Sequence, residues 1–312
     1  MSDENDSLIE PSRPTLDPKD SKTSLHENVR NALLALPGDF SFEHSVSGIA
    51  AVDLFNLNTL MGAGIEAEVV RTLNTLRKVW DPENEWSGFS FERSSQAFPD
   101  VRLVRHYDGH DEIAIGIELK GWFLLAKEGA PSLRYQVAPA ACAPHDLVCV
   151  VPWYLSNAVS GIAQVAEPWV ESARFAAEWR DHWWQHIRNV RNDTHPKGVI
   201  YPDDAAPYPT KADLVTAKAE YDGGDNYGRL PRCKPLMDQF IEKASNTPIL
   251  DISAKDWVWF LRLHTDTANP EDVTERLAAE VARKSKAITP EVTDEIVRAL
   301  KALRDATTWL DE

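Results

Sequence analysis

Three observations predict an α/β fold, a mixed central sheet flanked by helices. Residues 101–107 and 113–120 alternate with period two about the turn sequence Asp108-Gly109-His110-Asp111, the pattern of a β-hairpin. Residues 147–151, Leu-Val-Cys-Val-Val, are an unbroken apolar run, as expected of a strand buried on both faces. Stripes of helical period stand before and after this strand region.

Taken in order, residues 1–22 are rich in Asp, Glu, Ser and Pro and hold no aromatic side chain. They offer too little apolar surface to offset the entropy of ordering, so a flexible acidic tail is expected. Helix signals start at Ser24, which has capping-box spacing to Glu27, and Leu25, Val29, Ala32, Leu33 and Leu36 share a stripe that Pro37-Gly38 should end. A second helix is expected over 60–79, with Ile65, Val69, Leu73, Leu76 and Trp80 facing inward and Glu66 beside that stripe. In the second hairpin strand, alternation puts Ile113, Ile115, Ile117 and Leu119 on one face. Ala114, Gly116, Glu118 and Lys120 take the other, where the two small residues should leave space above the sheet.

The stretch before Leu147, including residues 132–136, leaves room for a helical crossover into a parallel strand. From 161 to 190 the chain reads as a long Trp-rich helix, and 201–209 as a Pro/Asp loop. Asn269-Pro270-Glu271 and Thr289-Pro290-Glu291 each place a cap, a first-turn Pro and an early acid, opening helices over about 271–287 and 290–309. The expected organisation is a tail (1–22), an α/β domain with helical insertions (23–245), and a helical C-terminal extension packed on it (246–312).

With 312 residues, 43% hydrophobic and 26% charged, the chain can bury a core, which excludes wholesale disorder, collagen and a disulfide scaffold. Three cysteines without a CxxC pair suit a reducing compartment, so a cytoplasmic location is expected. No stretch approaches the roughly 20 apolar residues of a membrane span. The net charge of −16 argues against general affinity for nucleic acid, but the acidity lies in the flanks. Residues 101–200 hold ten Lys/Arg against eleven Asp/Glu.

The chemistry-bearing constellation lies in that near-neutral middle. Pro99-Asp100 opens the first hairpin strand and Glu118-Leu119-Lys120 closes the second, so antiparallel pairing brings all three charges to one end of the sheet. Two carboxylates suit a hard ion such as Mg2+, which keeps waters and substrate phosphate oxygens as further ligands. Lys120 beside them can orient an attacking water and offset charge on a pentacovalent phosphorane. This outline is that of a phosphodiester hydrolase.

Pro99-Asp100 followed by Glu118-Leu119-Lys120 resembles the PD-(D/E)XK nuclease superfamily, whose best-known members are type II restriction endonucleases. The resemblance spans about residues 60–155. It implies a restriction-endonuclease-like fold with extra C-terminal helices, Asp100 and Glu118 as Mg2+ ligands, Lys120 as the residue assisting water, and Glu66 as a further acid from the preceding helix. It implies double-stranded DNA as substrate, a homodimer to meet two scissile strands, and a cognate DNA methyltransferase. Arg188, Arg191, Lys197, Lys211, Arg229 and Arg232 are then candidates for DNA contact, in loops that also read as ordinary solvated turns. Alternatives are a non-catalytic protein of the same fold, an acidic interaction protein, and a repair or antiviral nuclease acting on single strands or RNA.

Two weaker signals have plainer readings. His182 and His186, with Glu178 one turn earlier, are spaced for zinc but lack the HExxH pattern and are expected as paired surface histidines. The eleven tryptophans, among them Trp179, Trp183, Trp184, Trp257 and Trp259, are expected mainly in the core or a subunit interface.

Overall fold

A computed structural model of the chain describes residues 10–49, 53–94, 97–126, 131–188, 198–263, 270–284 and 298. Residues 10–20, which composition assigns to the tail, run beside the sheet, where the Arg13 guanidinium grips Glu171 at 2.6 Å and lies 4.8 Å from the Phe175 ring centroid. Helix α1 (Ser21–Leu34) starts one turn earlier than the Ser24 signal, because the Asp20 carboxylate accepts from Lys22 N and so takes the cap. Its stripe of Leu25, Val29, Ala32 and Leu33 is buried as expected. Pro37-Gly38 falls within one further helical turn, α2 (Leu36–Asp39), since Pro needs no N–H partner at a first helical position.

After strand β1 (Ser45–Val46) come α3 (Leu57–Thr75) and α4 (Arg77–Trp80), which divide at Leu76 what period alone joins into one helix. The stripe of Ile65, Val69, Leu73, Leu76 and Trp80 is buried throughout. Then follow β2 (Ser90–Arg93), β3 (Val101–Tyr107), β4 (His110–Phe123), β5 (Leu147–Leu155), β6 (Gly161–Val165) and β7 (Trp169–Ser172). The sheet is mixed, ordered β1-β6-β5-β4-β3-β2, with β4 and β5 parallel and the other pairs antiparallel.

Two expectations fail here. The predicted helix over 161–190 is strand up to Ser172: β6 pairs with β5 at 153–155 and β7 with β5 at 147–150, as one strand interrupted at Pro168. Helix α5 (Ala173–His182), capped by Ser172, follows and ends in a π turn at Trp183–Ile187. The crossover between β4 and β5 contains no α-helix among the described residues, only a 3-10 turn at Pro139–Ala141. Pro131, Pro139 and Pro144 break any helix there, and buried Arg180 of α5 holds the extended chain by donating to the Tyr135 and Val137 carbonyls at 2.8 and 3.0 Å.

The remainder carries β8 (Val199–Ile200), β9 (Lys218–Ala219), α6 (Asp238–Ser245), β10 (Pro248–Ile249), β11 (Ile252–Ser253), α7 (Ala254–Leu261) and α8 (Pro270–Lys284). Ile249, Ala254, Val258 and Leu261 join the same buried core as the sheet. The helix expected over 290–309 lies outside the described residues, apart from helical Arg298. Among the described residues, no helix is long and apolar enough to cross a membrane.

The β3–β4 register positions everything that follows. Asp108 and Gly109 both have positive φ, giving a two-residue turn that pairs Tyr107 with His110. Between Val104↔Ile113 and Leu103↔Ile115 the strand β4 carries one extra residue, Ala114, a β-bulge. Continued from the turn without it, the register would set Asp100 across from Ile117. With it, Val101 pairs with Ile117 and Asp100 stands across from Glu118. The bulge also corrects strict alternation, because Ile113 shares the face of its partner Val104 and not that of Ile115.

Nor is the surface above Gly116 open. A Cβ there would lie 2.4 Å from Pro99 Cγ and 3.0 Å from Asp146 Oδ1, so the glycine is needed for close approach. Asp146 is fully buried and accepts from Gly116 N at 2.7 Å, Ala143 N at 2.8 Å and the Tyr208 hydroxyl at 2.9 Å. Burial pushes its carboxyl up to about 6, against the lowering effect of those donors. The folded protein therefore binds this proton more tightly than the unfolded chain does, and stability falls as pH rises between about 4 and 6. Thermal unfolding across that window should show wild type losing up to about 3 kcal/mol relative to Asp146→Asn, in which this titration is absent. A constant difference between the two proteins from pH 4 to 7 would refute it.

Candidate active site

Helix α3 is fastened to the sheet at both ends by asparagine side chains. Asn58 Oδ1 accepts from Phe123 N at 3.0 Å and Trp153 Nε1 at 3.2 Å, while the Asn74 amide exchanges two 2.9 Å hydrogen bonds with the backbone of Phe91. Glu66, midway between them, is held at the sheet end where β3 begins and β4 nears its close. A cavity of about 510 Å³ opens there, lined among others by Asn58, Glu66, Asp100, Lys120 and Arg134.

The predicted cluster assembles. Asp100 Oδ2 accepts from Leu119 N at 2.9 Å, which ties the start of β3 to the neighbouring strand. Lys120 Nζ lies 2.7 Å from Glu118 Oε1 and 3.7 Å from Asp100 Oδ2. The Glu118 side chain is only 10% exposed, and burial raises its pKa to about 7, with Asp100 pushing the same way and Lys120 opposing. Lys120 is the converse: burial pulls its pKa down, but Glu118 and Asp100 outweigh that and hold it charged. Glu66 is raised first by burial and then by Asp100, against the opposing pull of Arg93, whose guanidinium is 3.4 Å away.

Among the described residues, no group of three or more His, Cys, Asp or Glu side chains is gathered for a metal ion. The side chains here that can hold a hard cation are the pair Asp100 and Glu118. Both offer oxygen donors, and a bound cation would oppose the effect of burial and of Asp100 that raises the Glu118 carboxyl. Thiol chemistry has no comparable footing: all three cysteines are buried, and burial pushes Cys142 and Cys233 up to about 12.

The other candidates scatter. Arg188 stacks on the Trp184 ring, 3.6 Å from its centroid, at the end of the π turn. Arg191 and Lys197 lie outside the described residues. Arg229 bridges through its backbone to Arg134 of the cavity wall, and its Nε donates to Asp225 O, within a loop folded around the Asp222 carboxylate. Arg232 is exposed on the short helical turn that follows. Lys211 is exposed in a groove beside β3, with Arg102. His182 and His186 have ring centroids 5.0 Å apart, with Trp179 against His182. Trp80, Trp153 and Trp184 are fully buried core residues.

Sequence reading missed Asn58, Asn74, Asp146 and Arg102. Only Arg102 carried a signal: standing two residues after Asp100 on a strand, it had to share the face of Asp100. Comparison of the chain with protein-family models, with curated proteins and with solved structures gave no match.

The buried ion pair makes a stability prediction. Lys120→Met leaves Glu118 buried beside Asp100 without its cation and should cost about 3 kcal/mol at pH 8, less below pH 7 where Glu118 protonates. Glu118→Gln combined with Lys120→Met removes both charges and should recover most of that loss in urea unfolding. A double variant no more stable than Lys120→Met would mean that the pair does not carry the effect.

Proposed function

We propose that this chain is a Mg2+-dependent endonuclease of the PD-(D/E)XK type, acting on double-stranded DNA at a specific sequence as a homodimer in the cytoplasm. The observation that carries the reading is the convergence of Asp100 and Glu118 across the hairpin with Lys120 at 2.7 and 3.7 Å between them. Around it stand a preceding helix bearing Glu66 and a following buried parallel strand, the setting in which this motif is expected. Asp100, fixed by Leu119 N, and Glu118 would hold the Mg2+, which would supply polarisation of the scissile phosphate and a more acidic water. Lys120, kept protonated by the two carboxylates, orients the water for in-line attack and offsets charge on the phosphorane. Glu66 stands as a reserve carboxylate on the cavity wall.

The overall charge of −16 favours a second reading, an acidic interaction protein without catalytic activity. One experiment separates the two. Purified protein is incubated with unmethylated phage and plasmid DNA, in Mg2+ or in EDTA, beside Glu118→Gln and Lys120→Met. Discrete Mg2+-dependent fragments, reduced at least about 100-fold in both variants, are expected. A smear would redirect the reading to a nonspecific or repair nuclease, and intact DNA with no gel retardation would leave the interaction protein.

A further inference from the structure

Beside the active-site cavity runs a second groove of about 320 Å³, lined among others by Glu92, Ser94, Arg102, His106, Thr210 and Lys211. Glu92, Arg102 and Gly116 stand opposite one another across β2, β3 and β4, so this groove lies on the sheet face that carries Glu118. Arg93, also on its wall, reaches Glu66 at 3.4 Å, so the two cavities abut.

Charge within the groove is sorted. Its two acids share one imidazole: His106 Nδ1 meets Asp111 at 2.7 Å and Nε2 meets Glu92 at 3.1 Å. Two of its cations have no acid among the described residues. Arg102 Nη2 donates only to the carbonyls of Phe98 and Pro209, at 3.3 and 3.2 Å, and its Nε is buried with no hydrogen-bond partner. Lys211 is exposed and forms no ion pair there, next to Thr210, whose hydroxyl and N–H are held by Asp213. An acidic protein that holds a half-buried guanidinium without a counter-anion, at the mouth of a groove meeting carboxylates and a lysine, has a place for an anion.

We propose that this groove is a phosphate subsite, which holds the backbone of the substrate strand beside the scissile bond, with Arg102 and Lys211 as its phosphate contacts. The inference rests on the nuclease reading and extends it. Arg102 follows Asp100 by two strand residues, about 7 Å. That short offset sets the phosphate held here close to the scissile one on the same strand. Positive charge confined to this groove binds the substrate locally, while the acidic exterior resists attachment elsewhere.

The test measures binding of a short DNA duplex in EDTA against salt concentration, with cleavage in Mg2+ measured in parallel, for wild type, Lys211→Gln, Arg102→Gln and Lys120→Met. Each groove variant should lower the slope of log K against log salt by about 0.9, as one phosphate contact is lost. Lys211→Gln should raise KM with little change in kcat, whereas Lys120→Met should lose cleavage and leave the slope unchanged. Because Arg102 also ties Phe98 to Pro209, Arg102→Lys is its control: it keeps the charge and should restore the slope. A wild type that cleaves DNA, with slopes unaltered in Lys211→Gln and Arg102→Gln, overturns the subsite and leaves the nuclease standing. A wild type that neither binds nor cleaves overturns both.

Discussion

Everything at the candidate site depends on the register of one hairpin. Side chains alternate along a strand, so a slip of a single residue exchanges the faces of every group beyond it. The tight turn at Asp108-Gly109 fixes the pairing at one end, and the extra residue at Ala114 changes it by one before the strands reach the other. Asp100 meets Glu118 because both devices are present. The close packing of Pro99 and Asp146 over Gly116 then holds this arrangement, since a larger residue at 116 would be displaced by either neighbour.

That arrangement gathers two carboxylates and one ammonium in a partly dry space, with Glu66 on the cavity wall, which is electrostatically costly by itself. The cost shows in the raised pKa values of Glu66 and Glu118, both shifted first by burial. The fold tolerates it because the surrounding polar backbone is satisfied by side chains from outside the sheet. Asn58 and Asn74 fasten α3, Asp146 fastens the start of β5, and buried Arg180 fastens the extended crossover. Preorganisation at the site and stability of the scaffold thus rest on the same few buried polar groups.

The hairpin, the parallel strand and the charged cluster were legible in the sequence because each is written locally, in alternation, turn chemistry and an apolar run. The bulge was not: nothing in Ile113-Ala114-Ile115 marks it, and only pairing with Leu103 and Val104 reveals it. Strands β6 and β7 were read as helix because the Trp-rich segment of α5 has helical period, which was extended backwards across Pro168. That proline was the signal against it, whereas the alternation of exposed Ile162 and Gln164 with buried Ala163 and Val165 emerges only in the folded chain, because Ile162 is itself apolar. The crossover was read as helical on length alone, although three prolines stood in it. Arg102 is legible only as a strand residue two places beyond Asp100, and its lack of an acidic partner appears only once the fold is formed.

The amide of Asn74 has a further consequence. Phe91 lies in β2, the last strand of the sheet, and both its backbone N–H and its carbonyl are engaged by that one side chain. Asn74 thus stands where a neighbouring strand would otherwise dock, and at the opposite border β1 is only two residues long. An exposed strand edge is a template for adding another chain and, repeated, for fibrous aggregation. The four-residue border strand β2 is thereby covered at Phe91, so another chain could add to it there only by first displacing the Asn74 amide.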